Sequence, residues 1–350
     1  MLNTLYRSRS RQATWLELFF DLVFVAVIGV ITHDLAHTHH GHIGVDQLLR
    51  FPLVFIPVWW IWTTHTLYAN RFDDNDRAHR LFALVIMALL VFLSTYEKDS
   101  QGENFLHFTL LYSAIRVLLA ILYLRIHSRH KTEVFYAGIA VDMGAQLILR
   151  KKTRQIPVDR KHLAERIGLL VIIILGESVI SMISSLSNIK VWDNFSIAAA
   201  LTGFTMVWAI WWIYFDSFSA LERAKRITDG NLLIYSHLIV YMGLLILANL
   251  IGHSIKRDLD QETFRMLAIT GMCGFYFGKQ IVYMVCFPPF RKIIIINTIL
   301  CISITVASTY LPRIEYSLVG MTLGMLFYVY SNYKWLLPNN IDAYVVEKHH

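Results

Sequence analysis

Ten stretches of this chain are apolar enough and long enough to cross a bilayer as helices: 14–32, 50–69, 80–96, 105–124, 167–187, 195–219, 231–254, 266–286, 293–311 and 316–336. A helical span needs about 20 mostly apolar residues to cover the hydrocarbon layer. In lipid every backbone polar group must be satisfied within the protein. The predicted fold class is therefore all-α, a polytopic transmembrane helical bundle of about ten spans. Composition agrees, since 56% of the 350 residues are apolar and only 16% are charged. Soluble domains carry about a quarter charged residues. Disordered, collagenous and ordinary cytosolic classes are excluded. Cys273, Cys286 and Cys301 lie in apolar runs, so no disulfide framework is implied.

Charge orients the spans. The net charge is +7. With the N-terminus inside, 23 Lys and Arg fall in cytoplasmic segments and 7 in outside ones, as the positive-inside rule asks. Both termini are then cytoplasmic, and the basic excess belongs to membrane loops rather than to a nucleic-acid partner. An eleventh segment, 133–149, contains Asp142 and Gln146. Making it a span would put Arg150, Lys151, Lys152 and Arg154 outside, so it reads as an interfacial or re-entrant helix. The run Trp15–Ile31 lacks a small-residue cleavage site and reads as a retained first span.

The chain echoes itself. Val58-Trp59-Trp60-Ile61-Trp62 recurs as Ile210-Trp211-Trp212-Ile213-Tyr214, and Tyr112 to Arg116 is matched by Phe275 to Lys279. Glu17 and Glu165 open the first span of each half. This suggests a first membrane half at 1–161, with four spans and the short helix, and a second at 162–350, with six spans. Many transport folds are built from such repeats.

Charges inside spans are expensive and mark functional candidates. Glu17 and Asp21 are four apart and share a helix face. They read either as a cation or proton site or as a buried lock with Arg116 or Arg71. Glu177, with Ser181, Ser184 and Ser185 below it, forms a polar stripe suited to a hydrated path or to helix contact. Gly176 beside it leaves room for another backbone. Lys279 lies among Gly271, Gly274 and Gly278, and is expected to pair with Glu177 or Asp216. The candidate ion pathway is thus Glu17, Asp21, Arg116, Glu177, Ser181, Asp216 and Lys279. Asp73, Asp74 and Asp76 lack the glycine and late glutamate of a calcium loop, and read as a helix cap or a latch to arginines. His33, His37, His39, His40 and His42 crowd one outside loop with Asp34 and form a weak metal or pH-sensing candidate. His65, His237 and His253 read as hydrogen-bonded structural residues. No phosphate loop, zinc-protease pair or nucleophile elbow is present, so no cofactor is expected, and the one enzymatic alternative is an intramembrane metal hydrolase using the outside histidines with Asp34.

Residues Arg11-Gln12-Ala13-Thr14-Trp15-Leu16-Glu17-Leu18-Phe19-Phe20-Asp21, Tyr68-Ala69-Asn70-Arg71-Phe72-Asp73 and His162-Leu163-Ala164-Glu165-Arg166-Ile167-Gly168, running on to Leu175-Gly176-Glu177-Ser178, resemble signatures of the bacterial low temperature requirement A family. The resemblance extends over most of residues 11–220 and implies a multi-pass protein of the bacterial inner membrane, linked by name to growth in the cold. It marks Arg71, Asp73, Glu165 and Arg166, with Glu17, Asp21 and Glu177, as signature positions. The chain departs from the pattern between its fourth span and His162, where relatives have room for a helical pair. Two function classes follow. One is a transporter or channel for a proton, cation or small solute. The other is a non-catalytic membrane stress-response or assembly component whose buried charges are structural. The lipid bilayer is the expected partner, and a homo-oligomer stays open.

Overall fold

The computed structural model describes residues 12–38, 41–72, 76–96, 105–129, 158–189, 193–223, 230–332 and 334. Among them, ten α-helices fall on the ten apolar segments: α1 (Trp15–Ile31), α2 (Val45–Phe72), α3 (Arg77–Thr95), α4 (Phe105–Arg129), α5 (Arg160–Ser187), α6 (Asn194–Arg223), α7 (Gly230–Lys256), α8 (Gln261–Cys286), α9 (Arg291–Ser308) and α10 (Ile314–Ser331). Short 3-10 turns occupy Thr32–Ala36 and Pro288–Phe290, and no β-strand occurs among the described residues. Among the described residues, six helices are long and apolar enough to cross a membrane: α3, α4, α5, α6, α7, and α9 with the turn before it. The protein is a multi-pass membrane protein built as a helical bundle. Residues 133–149 lie outside the described residues. The chain divides into two compact units, Met1–Ile31 with Leu53–Leu170, and Thr32–Pro52 with Val171–His350.

In the first unit, α1 buries Glu17, Phe20, Asp21, Phe24, Ile28 and Ile31, one face at helical spacing. Trp15, Phe19, Leu22 and Val30 are exposed on the other sides. Asp76 starts α3, its carboxylate accepting from the His79 amide at 2.8 Å. It also pairs with Arg125 of α4, so this aspartate is both cap and latch. α3 packs on α1 and α4 and exposes Leu81, Leu84, Val85 and Phe92. An outward apolar face of that extent fits lipid better than water.

In the second unit α7 is the central helix, buried on almost every side, with α6 and α8 packed against it. Glycines set the α7–α8 distance. A Cβ at Gly243 would lie 2.5 Å from the Phe275 nitrogen and 2.8 Å from the Gly271 oxygen. One at Gly278 would meet the Ser236 oxygen at 2.7 Å. Without a hydrophobic drive between helices in lipid, such close contact is what holds them together. Gly320 and Gly324 do the same for α10, against Ser308 and Ile304 of α9. Hydroxyls inside these helices bond their own carbonyls one turn back: Ser254 to Leu250, Thr298 to Ile294, Thr305 to Cys301 and Thr322 to Leu318. That satisfies a polar group in an apolar helix without a partner from elsewhere.

Candidate functional site

The densest buried charge lies in the first unit. Thr14-Trp15-Leu16-Glu17 is a capping box. The Thr14 hydroxyl accepts from the Glu17 amide at 3.3 Å, while Glu17 Oε2 accepts from the Thr14 amide at 2.7 Å and its hydroxyl at 2.8 Å. This begins α1 and fixes the Glu17 side chain in the first turn, where the helix dipole favours an anion. One turn on, Asp21 Oδ1 accepts from Trp62 Nε1 at 2.7 Å. Arg166 of α5 closes the group. Its Nε and Nη2 donate to Asp21 at 3.0 and 2.5 Å, and its Nη1 stands 3.1 Å from Glu17 Oε1. Thr66 lies 3.4 Å from Nη2, and the guanidinium carbon sits 5.9 Å from the Trp62 ring centre. Glu17, Asp21 and Arg166 are each at most 1% exposed. A planar fork with five donors suits two carboxylates at once, which a lysine could not match.

His162, one turn before Arg166, turns Nε2 toward Glu17 Oε1 at 3.4 Å. On its other side it meets Asn70. The Asn70 Oδ1 accepts the Asp159 amide at 2.8 Å, and its Nδ2 donates to the Asp159 carbonyl at 2.8 Å. The amide orientation is thereby set, so Nδ2 also points its hydrogen at His162 Nδ1, 3.0 Å away. Nδ1 must accept, and the imidazole proton sits on Nε2, facing Glu17. Two carboxylates, one guanidinium and an imidazole thus meet in one buried cluster.

The cluster corrects the expected lock. Asp21 and Glu17 pair with Arg166, not with Arg116 or Arg71. Arg116 instead donates to Thr64 Oγ1 at 3.0 Å, and Arg71 is half-buried in the last turn of α2. Helix α5 brings Arg166 to α1 at a sequence distance no local spacing reveals. Glu165 and Glu177 are half-buried, with no hydrogen bond or ion pair among the described residues. Ser181 and Ser185 face Gly252 of α7, whose Cβ would meet both hydroxyls at 3.1 Å. Ser178 bonds the Ile174 carbonyl, and Ser184 is exposed. Gly176 has nothing within 4 Å of a built Cβ among the described residues, so none of their backbones fills the room it leaves.

Lys279 is buried but pairs with neither Glu177 nor Asp216. Nζ donates to the Tyr328 hydroxyl at 3.1 Å and lies 4.8 and 5.2 Å from the Tyr283 and Tyr328 ring centres. Tyrosine faces and a phenol take the place of the carboxylate, as ring quadrupoles allow. Asp216 is half-buried.

Asp73, His39, His40 and the His33 side chain lie outside the described residues. Of the histidine group, His37 is exposed, and His42 Nδ1 stands 2.8 Å from Asp260 Oδ2. Asp260 caps α8, taking the Glu262 and Thr263 amides at 2.9 Å and the Thr263 hydroxyl at 2.6 Å. Burial pushes its carboxyl up, but these hydrogen bonds and His42 outweigh burial and hold it below the ordinary aspartate value. No group of three His, Cys, Asp or Glu able to hold a metal ion occurs among the described residues.

Sequence reasoning missed Trp62, Asn70 and His162 as members of the site, and Thr14 as its cap. Thr14-x-x-Glu17 was readable as a capping box. The others carry no local signal, because their partners lie 41 to 145 residues away.

Two comparisons bear on this geometry. The family model described as bacterial low temperature requirement A protein matches residues 12–141 and 126–329, a range that includes every member of the cluster. An uncharacterised protein of Rhizobium meliloti (strain 1021) is 23% identical over 284 residues, 68% of each chain.

Proposed function

The chain belongs to the bacterial low temperature requirement A family, and we propose that it is a carrier or channel for a proton or small cation, with Glu17, Asp21, Arg166 and His162 as the exchange site. One observation carries the reading: two buried carboxylates, Glu17 and Asp21, share the Arg166 guanidinium. A charge in an apolar interior costs several kcal/mol, of order 2.5–3.5 on insertion scales. Taking up a proton at one of the two carboxylates lowers that cost, and releasing it restores it. Arg166 is bound to both carboxylates, so uptake at Glu17 weakens one arm of its clamp and leaves the Asp21 arm intact. A site whose occupancy changes the grip between α1 and α5 is what alternating access requires. The echo between the chain's halves supports the same reading, as does the inward location of the charges.

The test is flux of protons and of monovalent cations into proteoliposomes, comparing wild type with Glu17→Gln and Asp21→Asn. The expected result is flux in wild type and its loss in Glu17→Gln at unchanged melting temperature.

A second reading has its own support. Asp21 accepts three hydrogen bonds from Arg166 and Trp62, the coordination of a static lock. On that reading the protein is a structural component of a membrane stress response. Glu17→Gln and Asp21→Asn then both lower the melting temperature, and wild type carries no flux.

A further inference from the structure

Helix α2 carries Trp59-Trp60-Ile61-Trp62-Thr63-Thr64-His65-Thr66 through the interior of the first unit, where Trp62, Thr64 and Thr66 are engaged, while Trp59 Nε1, Thr63 Oγ1 and both His65 nitrogens have no hydrogen-bond partner among the described residues. Trp62 donates to Asp21, Thr64 donates to the Trp60 carbonyl and accepts from Arg116, and Thr66 meets Arg166. His65 is the exception that matters for chemistry. It is 0% exposed, and neither Nδ1 nor Nε2 has a hydrogen-bond partner among the described residues. A structural histidine of the kind expected from the sequence would use at least one nitrogen on a neighbour. Buried polar groups in native proteins are almost always paired, so a buried histidine with neither nitrogen engaged calls for a role.

The surroundings of His65 say which role. From α1, Phe20 stacks on the imidazole, with ring centres 3.9 Å apart and planes inclined by 12°. The stack holds the ring by its face and leaves its nitrogen-bearing edges unclaimed. From α3, the His79 ring stands 5.7 Å away, centre to centre. Phe20 lies between the Glu17 and Asp21 positions of α1, and Glu17 and Arg166 are both within electrostatic reach of His65. His79 belongs to the first turn of α3, and its amide is held by the Asp76 cap, which in turn pairs with Arg125. Tyr68 stacks edge-on against His79 at 5.1 Å. The titratable and charged groups facing His65 are therefore Glu17 on α1, His79 on α3 and Arg166 on α5. His65 thus meets α1 through Phe20 and α3 through His79.

We propose that His65 is a proton relay between the Glu17–Asp21–Arg166 cluster and His79. A neutral imidazole has one N–H and one lone pair. A proton arriving on the bare nitrogen makes the imidazolium, and the proton on the other nitrogen then leaves. One proton enters, one departs, and the ring returns to neutral with its tautomer exchanged. Aromatic stacking on Phe20 suits this, since the ring keeps its place while both nitrogens stay available. The inference rests on the exchange-site reading, and it makes the transported or coupling ion a proton.

The test uses the full-length protein and His65→Phe, which keeps an aromatic ring against Phe20 and removes both nitrogens. Two readouts are taken: melting temperature in detergent, and proton flux into liposomes under a pH gradient. The expected result is a melting temperature unchanged or raised by about 2–4 °C, since two unpaired buried groups are lost. Proton flux should fall by about 100-fold or more, the usual scale for removing a proton-transfer group. A fall in melting temperature, or wild-type flux in the variant, would overturn the relay. Wild-type protein that passes no proton would sink the transport reading instead. In that event ¹⁵N-histidine spectra decide the relay alone, with the His65 signals identified by their loss in His65→Phe. Exchange of His65 between its two tautomers supports a group that can hand protons on. A single fixed tautomer with a protected N–H overturns it.

Discussion

Arg166 in the first unit and Lys279 in the second are both buried bases, 0% and 3% exposed, yet they are held by opposite means. Arg166 grips two carboxylates with Nε and both terminal nitrogens. Lys279 donates to one phenol and otherwise rests against tyrosine faces. The Arg166 partners are anions that cannot stand alone in the interior. The Lys279 partners are neutral and lose little when it goes, because Tyr328 keeps the Gln280 amide at 2.5 Å. Burial alone therefore says little about what a charge contributes. The charge left behind decides it.

The sharpest way to break that comparison is to remove the bases one at a time. Arg166→Met strands Glu17 and Asp21 and should cost about 3–5 kcal/mol, the scale for breaking a buried ion pair from one side. Thermal melting in detergent reads it, and the partial rescue expected from adding Asp21→Asn identifies the stranded charge as the cause. A loss no larger than that of Lys279→Met would show that the contrast between the two units is empty.

Glycine contacts come next. Gly243→Ala forces a methyl against the backbone of α8 and should destabilise by about 1–3 kcal/mol. Gly176→Ala, with nothing within 4 Å, should be neutral or stabilising by about 0.5–1 kcal/mol, as alanine is the better helix former. Equal effects at the two positions would mean that the α7–α8 contact is not what sets helix distance. Lys279→Met should stay within about 2 kcal/mol of wild type, the scale of a cation–π contact at a desolvated site.

The same contrast explains what could be read in advance. Span positions follow from the water–lipid boundary, a property of each segment by itself, so each of the ten apolar segments coincides with a helix. The carboxylate half of the buried cluster was readable for a similar reason, since Glu17 and Asp21 are four apart on one helix. The basic half was not. Arg116, Arg71 and Arg166 are indistinguishable as partners until helix packing is known, and Lys279 invites a carboxylate partner because sequence alone shows charges but not ring faces. His65 went the other way. A single histidine in a span suggests a bonded structural residue, and only three-dimensional packing reveals that its edges are unclaimed.

The smallest effect tests whether the charges outside the spans follow the rule drawn from those within. Asp260 is an ionised cap whose partners at Thr263 and Glu262 are neutral donors, with His42 beside it. Its carboxyl titrates below the ordinary aspartate value in the folded protein. The unfolded chain therefore binds the proton more readily. The stabilisation from Asp260 is present above the ordinary value, about pH 3.9, and is lost as pH falls through the lower folded value. Asp260→Asn keeps a competent cap, since Asn and Asp are near-equal at that position. The two proteins should melt within a degree or two of each other at neutral pH, a shift of under about 1 kcal/mol. In acid the small advantage of the wild type should shrink further. An advantage that instead grew in acid would mean that the carboxyl form is the better partner, and that Asp260, unlike Asp21, is not held by its charge.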